Sequence, residues 1–157
     1  MHDITPCLWF DHQAEEAVNF YLSIFPNSRI TQIARYGKAG PGQEGHVMTI
    51  AFELDGRPFV ALNGGPIFKF TEAVSFQVFC DTQERVDHFW NCLSKDGTEV
   101  QCGWLKDKHG LSWQIVPRAL PAMMADPDPA RVRRVAEAMF KMVKLDIAGL
   151  TQAYSPQ

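Results

Sequence analysis

The sequence predicts an α+β chain: one strand–helix–strand–strand–strand unit, repeated once, followed by a helical tail. Three observations carry this. Apolar residues recur at helical spacing in one stretch of each half and alternate in short runs elsewhere. Glycine and proline clusters punctuate those runs. The order of elements in the first half then recurs in the second, a repeat of structure more than of residue identity.

The first unit opens on a short apolar run, Cys7-Leu8-Trp9-Phe10. A helix is expected from about Gln13 to Phe25, because Ala14, Ala17, Val18, Tyr21, Ile24 and Phe25 fall on one face. Pro26-Asn27-Ser28 stops it. Ser28 to Tyr36 reads as a strand, Gly37 to Gly45 as a glycine-rich hairpin loop, His46 to Leu54 as a strand, Asp55-Gly56 as a turn and Arg57 to Asn63 as the returning strand. The second unit begins with a strand over Ala73–Cys80. Its helix is expected to be capped by Asp81, with Glu84 three residues on, to bury Val86, Phe89, Trp90 and Leu93, and to end at Gly97. Thr98–Cys102, Trp104–Lys106 and Ser112–Val116 supply three strands, the last two joined by the turn Asp107-Lys108-His109-Gly110. In the tail, Leu120 to Ala125 makes one helical turn. Asp128 caps a helix with Pro129 at its first position, and a shorter helix runs from about Ile147 to Tyr154. The longer tail helix is expected to bury Val132, Val135, Ala136, Met139 and Val143, with Arg131, Arg133, Arg134, Glu137 and Lys141 on a solvated face. The boundaries are therefore 1–66, 67–118 and 119–157, within one structural domain.

Composition narrows the function classes. The 157 residues are 46% apolar and 21% charged, with a formal net charge of −3 and no basic stripe, so nucleic acid is not an expected partner. No signal peptide precedes Cys7 and no apolar run approaches a membrane span, so a cytoplasmic protein without a membrane partner is expected. The four cysteines, Cys7, Cys80, Cys92 and Cys102, form no CxxC pair and read as buried, reduced, small hydrophobes. Of the five histidines, only His46 heads a core strand; His2 is terminal, His12 sits beside the first helix, His88 is helical and His109 is in a turn.

The doubled unit resembles the vicinal oxygen chelate superfamily of glyoxalases, bleomycin and fosfomycin resistance proteins and extradiol dioxygenases. More closely it resembles that superfamily's PhnB-like branch, often labelled demethylubiquinone methyltransferase. The matching segments are Thr5-Pro6-Cys7-Leu8-Trp9-Phe10, Ala17-Val18-Asn19-Phe20-Tyr21, Phe52-Glu53-Leu54-Asp55-Gly56, Ala61-Leu62-Asn63-Gly64-Gly65-Pro66, Cys102-Gly103-Trp104-Leu105-Lys106-Asp107, Ser112-Trp113-Gln114-Ile115-Val116-Pro117 and Lys144-Leu145-Asp146-Ile147. The resemblance implies a cupped mixed sheet, modules that pair within one chain or across two, and a homodimer. It places Gln114 where a metal-binding Glu often stands, Ser75 near a matching His, Thr5, Pro6 or Cys7 near another His, and Ala61 or Asn63 near the second carboxylate. No His or carboxylate occupies these positions.

Strand parity puts Ser75, Gln77 and Phe79 on one face, opposite Val74, Phe76, Val78 and Cys80, and turns Gln114 away from Trp113 and Ile115. A lone amide in an apolar strand needs partners. The expected ligand-binding set is Trp9, Phe59, Asn63, Ser75, Gln77, Trp104 and Gln114, with Phe79 as a further wall. Amides without imidazole or anionic help hold divalent metals poorly, so no metal or other cofactor is expected. The expected function is small-molecule binding with no catalytic residue named. The alternative is a metal-dependent glyoxalase-like or dioxygenase-like enzyme with atypical ligands, in which Glu53 and His46 would do acid–base work. An interaction module with a vestigial cup is the third reading. Methyl transfer is not expected, because the glycine loop leads into a strand, whereas a doubly wound donor site needs a helix N-terminus there.

Overall fold

In a computed structural model of the chain, residues 4–155 are described. His2 and the rest of the first three residues lie outside them. The chain divides into two compact units at Phe70/Thr71.

The first unit holds β1 (Cys7–Phe10), α1 (Ala14–Ile24), β2 (Arg29–Arg35), β3 (Val47–Leu54) and β4 (Arg57–Asn63). Its sheet runs β1-β4-β3-β2, with β1 parallel to β4 and the other pairs antiparallel. The Asp55-Gly56 turn has both residues at positive φ, 48° and 73°, as the tight turn between right-twisted strands requires. One sheet face carries Leu8, Phe10, Ile50, Phe52, Phe59 and Ala61, all buried, as is the apolar stripe of α1 that packs on β3 and β4. The segment after β4 stays with this unit, because Phe68 meets Trp9 edge-on at 5.0 Å and Phe70 meets Phe10 edge-on at 5.3 Å. That moves the seam a few residues past the expected Pro66.

The second unit repeats the topology with β5 (Ser75–Cys80), α2 (Gln83–Ser94), β6 (Thr98–Glu99), β7 (Trp104–Lys106) and β8 (Ser112–Pro117), its sheet running β5-β8-β7-β6 with β5 parallel to β8. Two local expectations are corrected. The cap of α2 is Thr82, whose hydroxyl accepts from Arg85 N–H at 3.4 Å, while Asp81 pairs with Arg118 at 2.5 Å. The sixth strand stops at Glu99, because Cys102 and Gly103 take φ of 60° and 81°, which breaks extended backbone.

The tail forms α3 (Leu120–Met124), α4 (Pro129–Met139) and α5 (Ile147–Tyr154). Asp128 and Asp146 cap the last two through Ala130 N–H (2.9 Å) and Gly149 N–H (2.6 Å). Val135, Leu120, Leu145 and Leu150 pack with Val116 of β8, ringed by Met123, Met124, Met139, Met142 and Tyr154. So the tail covers part of the sheet face opposite α2. Val143 is exposed, not buried, since α4 ends at Met139 and the next residues turn back so that the Met142 and Val143 carbonyls accept from the Cys102 and Gly103 amides. The arginine face also differs from expectation. Arg134 donates to the Ala153 and Tyr154 carbonyls, and Arg131 lies over the Tyr154 ring at 5.4 Å.

Candidate binding groove in the second unit

The register of β8 decides which of its side chains can form a site. Trp113 and Ile115 are buried on the helix side, and Gln114 points the other way. On that open face Gln77 of β5 pairs in register with Gln114 from one side and Trp104 of β7 from the other; Ser75 faces Ser112, and Phe79 faces Val116. Gln114 Nε2–H donates to Ser75 Oγ at 2.7 Å, and Gln77 Nε2–H donates to Gln114 Oε1 at 3.2 Å. Ser75, Gln77, Trp104 and Gln114 thus come together, and the sequence puzzle of a lone amide resolves into a three-member polar relay. Each amide has two protons and two lone pairs, so the relay keeps unused capacity for a further partner.

The orientation of β8 is set upstream. Asp107 is 3% exposed and closes the turn into β8: its Oδ1 accepts from the His109 and Leu111 amides (2.8 and 3.1 Å) and its Oδ2 from the Trp113 indole (2.8 Å). Pinning Trp113 on the helix side fixes Gln114 on the other, since a one-residue slip would exchange the faces.

Around the relay lies a groove of about 840 Å³. Phe79, Trp104 and Val116 of the sheet line it, and so do Leu120, Met139 and Phe140 of the tail. The tail residues were absent from the sequence reading. The signal was faint: Phe140 is an aromatic beyond the end of a strongly basic helix, and it is 66% exposed.

The first unit places its expected residues differently. Trp9 stands on the face of β1 away from α1, its indole N–H donating to the Gly65 carbonyl at 2.8 Å. Phe59 does not wall a site: parity sends it to the helix side, where it stacks on Phe52 at 5.5 Å and is 9% exposed. Asn63 is committed to the backbone, its Oδ1 accepting from Ala14 N–H at the start of α1 (2.9 Å) and its Nδ2–H donating to the Val47 carbonyl (3.0 Å). Of the two positions aligned with a carboxylate, Ala61 is buried with Phe59, so the face shared with Trp9 and Cys7 carries Val60 and Leu62.

The acid–base alternative also meets its geometry here. His46 is exposed and lines a separate hollow of about 430 Å³ beneath the glycine loop, with Asp11, Tyr36 and Gly65. Glu53 pairs with Arg29 at 2.9 Å at the far end of β3. Seven residue steps at ~3.3 Å put them roughly 23 Å apart along the strand. They cannot act on one bond. The glycine loop connects β2 to β3, and no helix starts from it.

The donor set does not suit a divalent cation. No group of three or more His, Cys, Asp or Glu side chains able to hold a metal occurs among the described residues, and the relay offers only neutral oxygens, two of which already accept hydrogen bonds. Of the four free cysteines, Cys80 is fully buried, and burial pushes its thiol up to about 11. Cys7 is exposed, which corrects the expectation that all four are buried; partial desolvation still raises its pKa. No described helix is long and apolar enough to cross a membrane.

A family model described as 3-demethylubiquinone-9 3-methyltransferase matches residues 2–116. The chain belongs to that family. A solved structure described as a 3-demethylubiquinone-9 3-methyltransferase, PhnB protein, from Bacillus cereus is 39% identical, covers 74% of this chain and 99% of its own, and superposes with a TM-score of 0.68. Protein PA1353 from Pseudomonas aeruginosa shares the fold at 15% identity, covering 73% and 96% of the two chains with a TM-score of 0.62. A glyoxylase/bleomycin resistance protein/dioxygenase domain from Frankia sp. EAN1pec aligns over 74% and 97% at 14% identity and a TM-score of 0.49. No curated protein matches. The helical tail of this PhnB-like chain lies beyond the span that the family model covers.

Proposed function

We propose that this PhnB-like protein is a cytoplasmic, homodimeric small-molecule binder that works without a metal or other cofactor. The observation that carries the reading is the Gln77–Gln114 amide pair on the floor of an apolar-walled groove, with Ser75 accepting from Gln114 behind it. A few converging polar groups in an apolar hollow is the usual form of a small-molecule site. The relay is held in place before any ligand arrives, which lowers the ordering cost of binding. Trp104 supplies a flat wall beside Gln114. The family's descriptive name speaks of methyl transfer, but the glycine loop here runs from strand to strand and offers no helix N-terminus for a donor.

The test is metal analysis of the purified protein together with a thermal-shift screen against a broad small-molecule library. The expected outcome is substoichiometric metal and a ligand whose shift disappears in Gln114→Leu. Stoichiometric metal lost in Gln114→Ala would replace this reading with a metal-dependent enzyme. A screen in which nothing shifts the melting temperature would favour an interaction module.

A further inference from the structure

The helical tail reaches the groove although it lies beyond the family match at residue 116. Its contribution is chemically one-sided. Leu120, Pro121, Met139 and Phe140 are apolar, and they line the groove together with the sheet's Phe79, Trp104 and Val116. Among the described residues one charged side chain lines the groove, Glu72, and it is paired with Lys106. The floor offers neutral amides and no ion. A charged ligand would give up hydration here and meet at the margin only Lys106 and Arg118, already paired with Glu72 and Asp81, so the charge would be incompletely compensated. A flat, uncharged aromatic would lose little and gain contact with Trp104, Phe79 and the Met139 thioether.

We propose that the tail is a selectivity wall, built from Phe140, Met139 and Leu120, that restricts this groove to uncharged planar aromatic molecules carrying one hydroxyl or carbonyl for the Gln77–Gln114 relay. The inference rests on the groove being the binding site and adds what it accepts and which segment decides. Phe140 is the discriminating residue. Its ring is 66% exposed at the rim, so it does little for the fold and is free to close on a bound ring. The tail itself stays in place without it, because Val135, Leu145 and Leu150 anchor it to Val116.

The experiment uses the full chain and three probes titrated by calorimetry: 2-naphthol, its charged counterpart 2-naphthoate, and the non-planar decahydro-2-naphthol. The expected order places 2-naphthol at least tenfold tighter than either of the others. Phe140→Ala should weaken 2-naphthol about five- to tenfold and compress the preference for the planar probe. Gln114→Leu should weaken 2-naphthol similarly, while leaving the aromatic preference intact. Equal binding of 2-naphthoate, or unchanged selectivity in Phe140→Ala, overturns the proposal. If Gln114→Leu still weakens binding in that case, the groove remains the site and only the wall fails. If 2-naphthol does not bind, the ligand class is wrong; the library screen then decides separately whether Gln114 serves another ligand. If Phe140→Ala changes the sedimentation coefficient and no probe affinity, the rim is a contact between copies of the chain and the proposal fails.

Discussion

Replacing Asp107 tests the link between one buried carboxylate and the aim of Gln114. The side chain accepts from two backbone amides and one indole while only 3% exposed. In Asp107→Ala all three donors lose their acceptor. The His109 amide lies next to exposed Lys108 in the turn and can turn to water, whereas Leu111 and Trp113 are buried. Two dry donors cost about 1–3 kcal/mol each, and relief from burying a charge offsets part of that, leaving a net loss of about 3 kcal/mol. Asp107→Asn should cost less, about 1–2 kcal/mol, because its Oδ1 still serves the turn while its amino group faces the indole N–H. Urea titration read by tryptophan fluorescence measures both. At a slope of roughly 1–3 kcal/mol per molar, the alanine variant should lose about 1–3 M of midpoint without a change of slope. A midpoint within about 0.3 M of the parent would refute the reasoning, and so would an asparagine variant weaker than alanine.

Asn63→Ala should lower stability by about 2 kcal/mol, since it strips the outside cap from Ala14 N–H and the brace on Val47, yet should leave ligand affinity in the second unit unchanged. Thermal melts and calorimetry on the same sample separate the two effects. In acid, the tail should be the first part to loosen. The hydrogen bond from the Tyr154 hydroxyl, with the Asp128 amide and Arg131 behind it, holds the Asp126 carboxyl below the usual carboxylate range. A depressed folded-state pKa contributes stability above the unfolded value near 3.9, and that stability is lost as pH falls through the folded one. The protection factors of the amides in α5, with the intrinsic exchange rate divided out, should therefore fall below about pH 4, and Asp126→Asn should remove that pH dependence.

Much of this architecture was legible because period and punctuation agree. Trp113 and Ile115 against Gln114 declare their faces by alternation alone. What parity fixes in a strand it fixes without knowing the partner, so Ser75, Gln77 and Gln114 were placed together correctly. Phe59 and Asn63 were misplaced for the complementary reason. In β4 the run Phe59-Val60-Ala61-Leu62 is apolar on both faces, so no alternation marks the buried side, and Asn63 reads as a polar ligand contact when its amide in fact spans Ala14 and Val47. Long-range capping of this kind leaves no local signature. The same holds for the shift of the cap from Asp81 to Thr82, adjacent residues that can both cap a helix. The tail's approach to the groove depends on how α4 ends and turns back onto Cys102 and Gly103, and no periodicity in its own sequence encodes that.

The two units also carry a built-in comparison. In each, a parallel strand pair lies on a helix, and in each the exposed side of that pair seats two side chains directly opposite one another. The first unit seats Trp9 beside Leu62, the second Gln77 beside Gln114. One repeated plan therefore tolerates an indole against an aliphatic chain and an amide against an amide at a comparable place, because the helix-side layer carries most of the buried side chains of these strand pairs. Apart from Val116, which anchors the tail, the packing that holds each strand pair and the proposed recognition surface lie on opposite sides of the same strands, so the latter can change its chemistry without renegotiating the fold.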